Sequence, residues 1–315
     1  MNTATTTVES TATRDGKGVR QNDRSDVSGS GAPFHDILAE VRQLAPLSPA
    51  AARLVAMLGR GEHEPFAVAA VVETDPALAA LVLRDVNSAE PHPQRSIGTV
   101  REAASDLDDA RVVGMALALA GRDHFNAALR GYRGERGDLG RHSLYVALAA
   151  RELAHHTLGR VDPAVAFTAG LLHDLGKVVL SAHLAAHTEA IASDLDAGVL
   201  PDFVSGERLR LGCDHGEAGS ALIEHWRLPS VLASPVRHHH APLDAEPAHQ
   251  PLASVVHLAD MLACGQGLST AADRAGYRLE PGYQQWVVLN EAELGGILVR
   301  ARVAFEATGT TWFDG

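Results

Sequence analysis

An all-α fold, with an N-terminal helical lobe packed on a second helical core, is expected for this 315-residue chain. Three features carry that expectation. Apolar residues make up 46% and aromatic residues only 4%, with alanine and leucine dominant, a composition that leans towards helix. Apolar side chains recur three and four residues apart, and no stretch alternates with period two. A capping side chain followed by proline, the usual opening of a helix, recurs at Ser48-Pro49, Asp75-Pro76 and Asp162-Pro163.

Taken in order, residues 1–33 are Thr, Ser, Gly, Asp and Arg with little to bury, and they read as a disordered tail. From Phe34 the pattern turns helical, with Ile37, Leu38, Val41 and Leu44 on one stripe. Ser48-Pro49 opens a helix that Gly59 stops, and Asp75-Pro76 opens ALAALVLRDVNSA. A short connection around Pro91 and Pro93 leads to helices over 98–106 and 109–121. The glycine-rich stretch 131–138 reads as a polar hinge. Beyond it come HSLYVALAARELAHH, a helix capped by Asp162 that runs into His173-Asp174, and helical patterns at 216–227 and 251–264. Gly176 suits the left-handed position that ends a helix. Asn290 and Glu293 form a capping box for a last helix through Val303.

The net charge of −12 and the lack of any Lys/Arg cluster argue against direct binding to nucleic acid. The two cysteines, Cys213 and Cys264, form no CxxC pair and define no disulfide framework, which suits a reduced cytoplasmic protein. No single apolar run approaches membrane-spanning length, and the first residues lack the apolar segment of a signal peptide, so no membrane association is expected.

Chemistry concentrates in the second half. Seventeen histidines is a high count, and His142, His173, His215 and the run His238-His239-His240 lie there with Asp174 and Asp260. Imidazole and carboxylate donors suit Zn, Mn or Fe. Adjacent helical residues point about 100° apart, so His173 and Asp174 flank one ion only at a helix end or beneath a partner helix. His142 and Asp260 could supply that partner. Asp174, with two oxygens, could bridge to a second ion held by His215 and the histidine run, and two such ions would activate a water and hold a phosphate. Lys177, one turn on, could neutralise a phosphate oxygen. Taken singly, each residue has a plainer role: a core or surface histidine, a capping aspartate, a solvated lysine. His155, His156, His183, His187 and His225 take that plainer role here, and the HHH run alone could be a solvated loop.

The motifs in combination are more specific. LAPLSPAAARLVAML, VETDPALAALVLRDVNSA, RSIGTVREAASDL, AGLLHDLGKVVL, ERLRLGCDHGEAGSALIEHWRLP and HHAP follow one another in the order seen in the HDOD domain. The chain resembles that family, a bacterial signalling branch of the HD superfamily of metal-dependent phosphohydrolases. The resemblance covers 34–308 and implies a helical lobe over 34–130 and an HD-like helical core with a C-terminal helix over 139–308. It implies His142, His173, Asp174 and Asp260 as one metal set, by likeness to the HD superfamily. By likeness to the related HD-GYP phosphodiesterases, it implies His215, His239 and His240 as ligands of a second ion, with Pro242 setting the register. Asp174 and Lys177 match positions that serve catalysis in active relatives. Two departures stand out: no GYP segment follows the histidine run, where the sequence is APLDAEPAHQ, and Asp108 stands where a glycine is expected after Leu107. The resemblance favours a regulatory protein of signal transduction that binds partner proteins or a nucleotide second messenger and keeps the HD set. The alternative it carries is a metal-dependent phosphohydrolase or phosphodiesterase acting on a nucleotide or cyclic dinucleotide.

Overall fold

The computed structural model describes residues 32–62, 64–89, 97–270, 272, 276–308 and 312. The tail expected over 1–33 lies outside these apart from residues 32 and 33, as does the connection at Pro91 and Pro93. The described residues are helical, with no strand. The first lobe runs α1 (Ala32–Val41), α2 (Pro49–Gly59), α3 (Pro65–Val72), α4 (Pro76–Ala89), α5 (Val100–Asp106), α6 (Asp109–Ala120) and a single turn, α7 (Arg122–Phe125). The rest is α8 (Asp138–Ala154), α9 (Pro163–Leu172), α10 (Gly176–Leu184), α11 (Thr188–Asp196), α12 (Phe203–Leu211), α13 (His215–His225), α14 (Ser230–His238), α15 (Gln250–Gly265) and α16 (Glu291–Thr308).

The caps that the sequence supplies are made. The Ser48 hydroxyl accepts from the Ala51 amide at 3.2 Å, and one Asp162 carboxylate oxygen accepts from the Ala164 and Val165 amides at 2.8 and 3.1 Å. Asn290 and Glu293 exchange side-chain to backbone hydrogen bonds at 2.8 and 2.9 Å, so the last helix opens on a true capping box and runs five residues past Val303. Such caps satisfy amides that the helix leaves unpaired, each worth about 1 kcal/mol. Asp108, in place of the family's glycine, caps α6 through the Arg111 amide at 2.8 Å and reaches Arg151 of α8 at 3.0 Å. α3 had no sequence signal: it is short, its Glu64 makes no side-chain cap, and PFAVAAVV is apolar all round.

One apolar core runs through both parts, from Ile37 and Leu54 to Leu171, Val236 and Val256. α8 is central, packed on α9, α15 and α16, while α2 and α6 bring the first lobe onto α9. The 131–138 stretch is no free hinge. Gly131 is clamped to α10: its amide donates to Ser181 Oγ at 3.2 Å, Thr188 Oγ1 donates to its carbonyl at 2.9 Å, and a Cβ there would lie 2.5 Å from the Ser181 carbonyl oxygen. Gly176 also differs from expectation. It takes no left-handed backbone and begins α10 instead of ending a helix. A Cβ on it would stand 1.8 Å from the His215 carbonyl oxygen, so the glycine is there for the crossing of α10 and α13. Together α9, the turn after it and α10 make a 22-residue stretch, Pro163–Leu184, that is by length and composition apolar enough to cross a bilayer, where the sequence reading found no such run. In the fold 83% of that apolar window is buried, and the stretch carries the site described next.

Candidate metal centre

Five parts of the chain deliver one convergent set of side chains. α8 carries His142. His173 and Asp174 sit in the turn between α9 and α10, where α9 ends against the core. A capping box, Asp214 with Glu217, opens α13 and sets His215 as its first residue. α14 ends at His238, so that His239 and His240 follow at its C-terminus, and α15 carries Asp260.

All seven expected ligand residues come together, in two halves joined by Asp174. In one half His142 Nε2 lies 3.2 Å from His173 Nε2, 3.2 Å from Asp260 Oδ1 and 3.3 Å from Asp174 Oδ2, and His173 Nε2 is 3.4 Å from the same Asp174 oxygen. In the other, His215 Nε2 is 3.2 Å from His239 Nε2 and 2.8 Å from His240 Nε2, while Asp174 Oδ1 stands 3.4 Å from His215 and 3.7 Å from His239. His238 is outside both sets, so the register read from Pro242 agrees with the geometry.

The second nitrogens show that the set fits a cation. His142, His173 and His239 each aim Nδ1 at a backbone carbonyl, of Leu268 (2.5 Å), Gly170 (2.8 Å) and Val236 (2.7 Å). His215 aims Nδ1 at the Glu207 carboxylate, 2.9 Å from each oxygen. These partners only accept, so Nδ1 holds a proton and Nε2 is the nitrogen turned to the cluster, as a lone pair in a neutral ring and as a proton shared with Asp174 and Asp260 at His142. Lone pairs and carboxylate oxygens then converge with nothing positive between them unless a proton or a metal ion is shared. Two atoms that each bind one ion at about 2.1 Å, at angles of 90–109°, stand about 3.0–3.4 Å apart; six of the spacings here lie in that range, while His215–His240 is closer at 2.8 Å and His239–Asp174 and His173–Asp260 are wider at 3.7 and 3.9 Å. Asp174 Oδ1 and His240 Nδ1 are buried and take part in no hydrogen bond among the described residues. The backbone and Glu207 contacts fix tautomer and ring angle, as the outer contacts of metal-bound histidines do.

Electrostatics agree. Burial opposes charge on His142, yet hydrogen bonds to Asp174 and Asp260 raise it to about 10. Burial likewise opposes ionisation of Asp174, but His173, Lys177 and His142 hold it well below the usual carboxylate range. Asp260 is held low against burial by His142. Burial pushes His239 and His240 well below the ordinary imidazole value, and neighbouring rings add to this. Glu207 raises His215 against the effect of burial. Lys177 is buried, with Nζ 2.7 Å from Asp174 Oδ2 and over the Tyr132 ring at 5.6 Å.

A cavity of about 300 Å³ borders the second half, lined by His215 and His240, by Phe203 and Tyr277, by Arg208 and Arg278 and by the acidic Asp202, Glu207 and Glu280, with Arg208 also paired to Asp214. Lys177 does not border it. Three supporting residues escaped the sequence reading. Glu207 is fully buried behind His215. His257 Nδ1 donates to the His239 carbonyl at 2.7 Å, and its Nε2 accepts from the Glu280 amide at 2.8 Å. Tyr277 packs edge-on to His240, with ring centroids 4.7 Å apart. His257 sits one turn before Asp260, the one sequence cue; Glu207 and Tyr277 had none.

Comparison with known proteins gives the same fold. A solved HDOD domain protein of unknown function from Geobacter sulfurreducens superposes with a TM-score of 0.66 at 22% identity, covering 90% of this chain and 99% of that one. A protein from Shewanella amazonensis SB2B, provisionally named a phosphohydrolase, superposes at 0.63 with 25% identity, covering 90% of this chain and 98% of its own. An uncharacterized protein of Treponema pallidum (strain Nichols) is 27% identical over 196 residues, 62% of this chain; the chain spans only 37% of that relative's length. The HDOD domain family model matches residues 44–242, through the last histidine of the site, and the chain belongs to the HDOD domain family.

Proposed function

We propose that this HDOD protein acts in signal transduction and carries a two-metal centre of the phosphohydrolase type. His142, His173, Asp260 and Asp174 Oδ2 would hold one divalent ion, and His215, His239, His240 and Asp174 Oδ1 a second. The observation that carries this reading is the split of one carboxylate between two sets of inward-facing Nε2 atoms, with the rings of His142, His173, His215 and His239 fixed through Nδ1. Divalent Fe, Mn or Zn ions there would supply an activated water and a polarised phosphoryl oxygen. The chain's own part is to orient and exclude: the rings are locked, the first half is closed to water, and the cavity admits a ligand beside His240. Arg278, with Phe203 and Tyr277 beside it, would meet a phosphate ester with a planar group, such as a nucleotide, while Asp202, Glu207 and Glu280 on the same lining call for a cation between them and the phosphate. Lys177 holds Asp174 ionised and in place. The phosphohydrolase name of the Shewanella relative supports the same chemistry.

A second reading, binding without turnover, is favoured by the burial of His142, His173, Asp174 and Asp260; among the described residues the cavity borders His215 and His240 and none of these four. In that reading the metal shapes a binding site for a nucleotide or a partner protein. Hydrolysis of bis(p-nitrophenyl) phosphate by protein reconstituted with Mn, Fe or Zn distinguishes the two. The enzymatic reading predicts turnover that chelation removes and the same metal restores. Metal-loaded protein that turns over neither this ester nor a panel of nucleotides would leave the binding reading standing.

A further inference from the structure

The cavity stops short of the sealed half, and Tyr277 stands between them. Its half-buried ring lines the cavity and meets His240 edge-on, with ring centroids 4.7 Å apart. Its hydroxyl, at the far end of the ring, reaches Asp260 by a hydrogen bond and lies 3.2 Å from His257 Nδ1. Asp260 is 4% exposed and takes no part in the cavity lining. A side chain that borders the cavity and also touches a sealed ligand fills the way from one to the other.

The backbone holds Tyr277 there from both sides. Before it, Gly276 has φ of 80°, and a Cβ on it would lie 2.0 Å from the Pro201 carbonyl oxygen, so glycine lets the chain cross the segment that leads into α12. After it, the Glu280 amide donates to His257 Nε2 at 2.8 Å, and the other nitrogen of that buried ring donates to the His239 carbonyl at 2.7 Å. Tyr277 is thereby tied to α15, the helix that carries Asp260. A phosphate clamped by two ions must touch both. A ligand in the cavity meets the His215–His240 side, with the phenol across its path to Asp260.

We propose that Tyr277 is a plug between the cavity and the ion held by His142, His173 and Asp260, so that solvent and ligand reach this ion only when the phenol leaves. The inference rests on the two-metal reading above. The test is the rate at which a chromogenic pyridylazo chelator withdraws Zn from the full chain loaded with two ions, with no substrate present. Two phases are predicted for the wild type, one ion in each. Tyr277→Phe keeps the ring and loses the bond to Asp260, and should speed the slow phase at least about tenfold, the rate equivalent of one hydrogen bond to a charged group. Tyr277→Ala should merge the phases while the helical circular dichroism is unchanged; if it does not fold, the phenylalanine variant decides. Arg278→Ala, an exposed neighbour on the same lining, should leave both phases as they are. A single phase in the two-ion wild type, a slow phase that the Tyr277 variants leave unchanged, or equal acceleration by Arg278→Ala would overturn the plug. A wild type that never loads two ions would refute the two-metal reading itself.

Discussion

The two halves of the histidine cluster use the same ligand types in different surroundings. His142, His173 and Asp260 are sealed within the core, at most 4% exposed; the two histidines rest on backbone carbonyls, and Asp260 is also met by Cys264 and by Tyr277 from the cavity side. His215 and His240 border a cavity, and the contact behind His215 is a buried carboxylate, Glu207. The sealed half can only hold; the open half can also meet a ligand. A protein-wide count of ligands would miss this division, because it comes from what lies behind and beside each ring. Asp174 belongs to both halves, and Lys177 keeps it charged.

That contrast can be broken or sharpened at graded cost. Asp174→Ala removes the shared carboxylate and leaves Lys177 buried without that anion. It should empty both halves of metal and abolish any turnover, read by elemental mass spectrometry beside a phosphodiester assay. Gly176→Ala attacks the crossing that sets the halves apart. Its methyl group would collide with the His215 carbonyl, so the folded state should lose about 3 kcal/mol, the upper end of ordinary overpacking, read by urea unfolding. Glu207→Gln alters only the open half. Metal affinity there should fall about 10–100-fold with the sealed half unchanged, read by competition with a chromogenic chelator. The smallest effect is proton linkage. In metal-free protein the His142 charge, favoured by Asp174 and Asp260, contributes stability below the unfolded imidazole pKa, and this is lost as pH rises through about 10. A metal must displace that proton, so affinity in the sealed half should rise about tenfold per pH unit across the neutral range, read by titration calorimetry in buffers of different ionisation enthalpy.

Much of the fold was legible because it is written in local devices. Ser48-Pro49, Asp162-Pro163 and the Asn290–Glu293 box each name a helix start, and the structure makes each bond. The seven residues of the cluster were legible from the order of motifs, and Pro242 gave the register in which His239 and His240, not His238, converge with His215. What stayed hidden depends on distant chain. Gly176 looks like a helix stop by spacing, and only the α13 backbone explains it. Gly131 reads as a hinge until Ser181 and Thr188 are seen to hold it. Glu207 is a common acidic residue in a helix of low amphipathicity, and its burial behind His215 is a tertiary fact. The division into sealed and open halves was hidden for the same reason.

A two-ion centre bridged by Asp174 fixes the metal content of untagged protein and of its variants. Elemental mass spectrometry of the wild-type chain, Asp174→Ala and His240→Ala should give about two ions, none and one per chain. A wild-type protein that stays metal-free after reconstitution, or an Asp174→Ala variant that keeps a full complement, would contradict it.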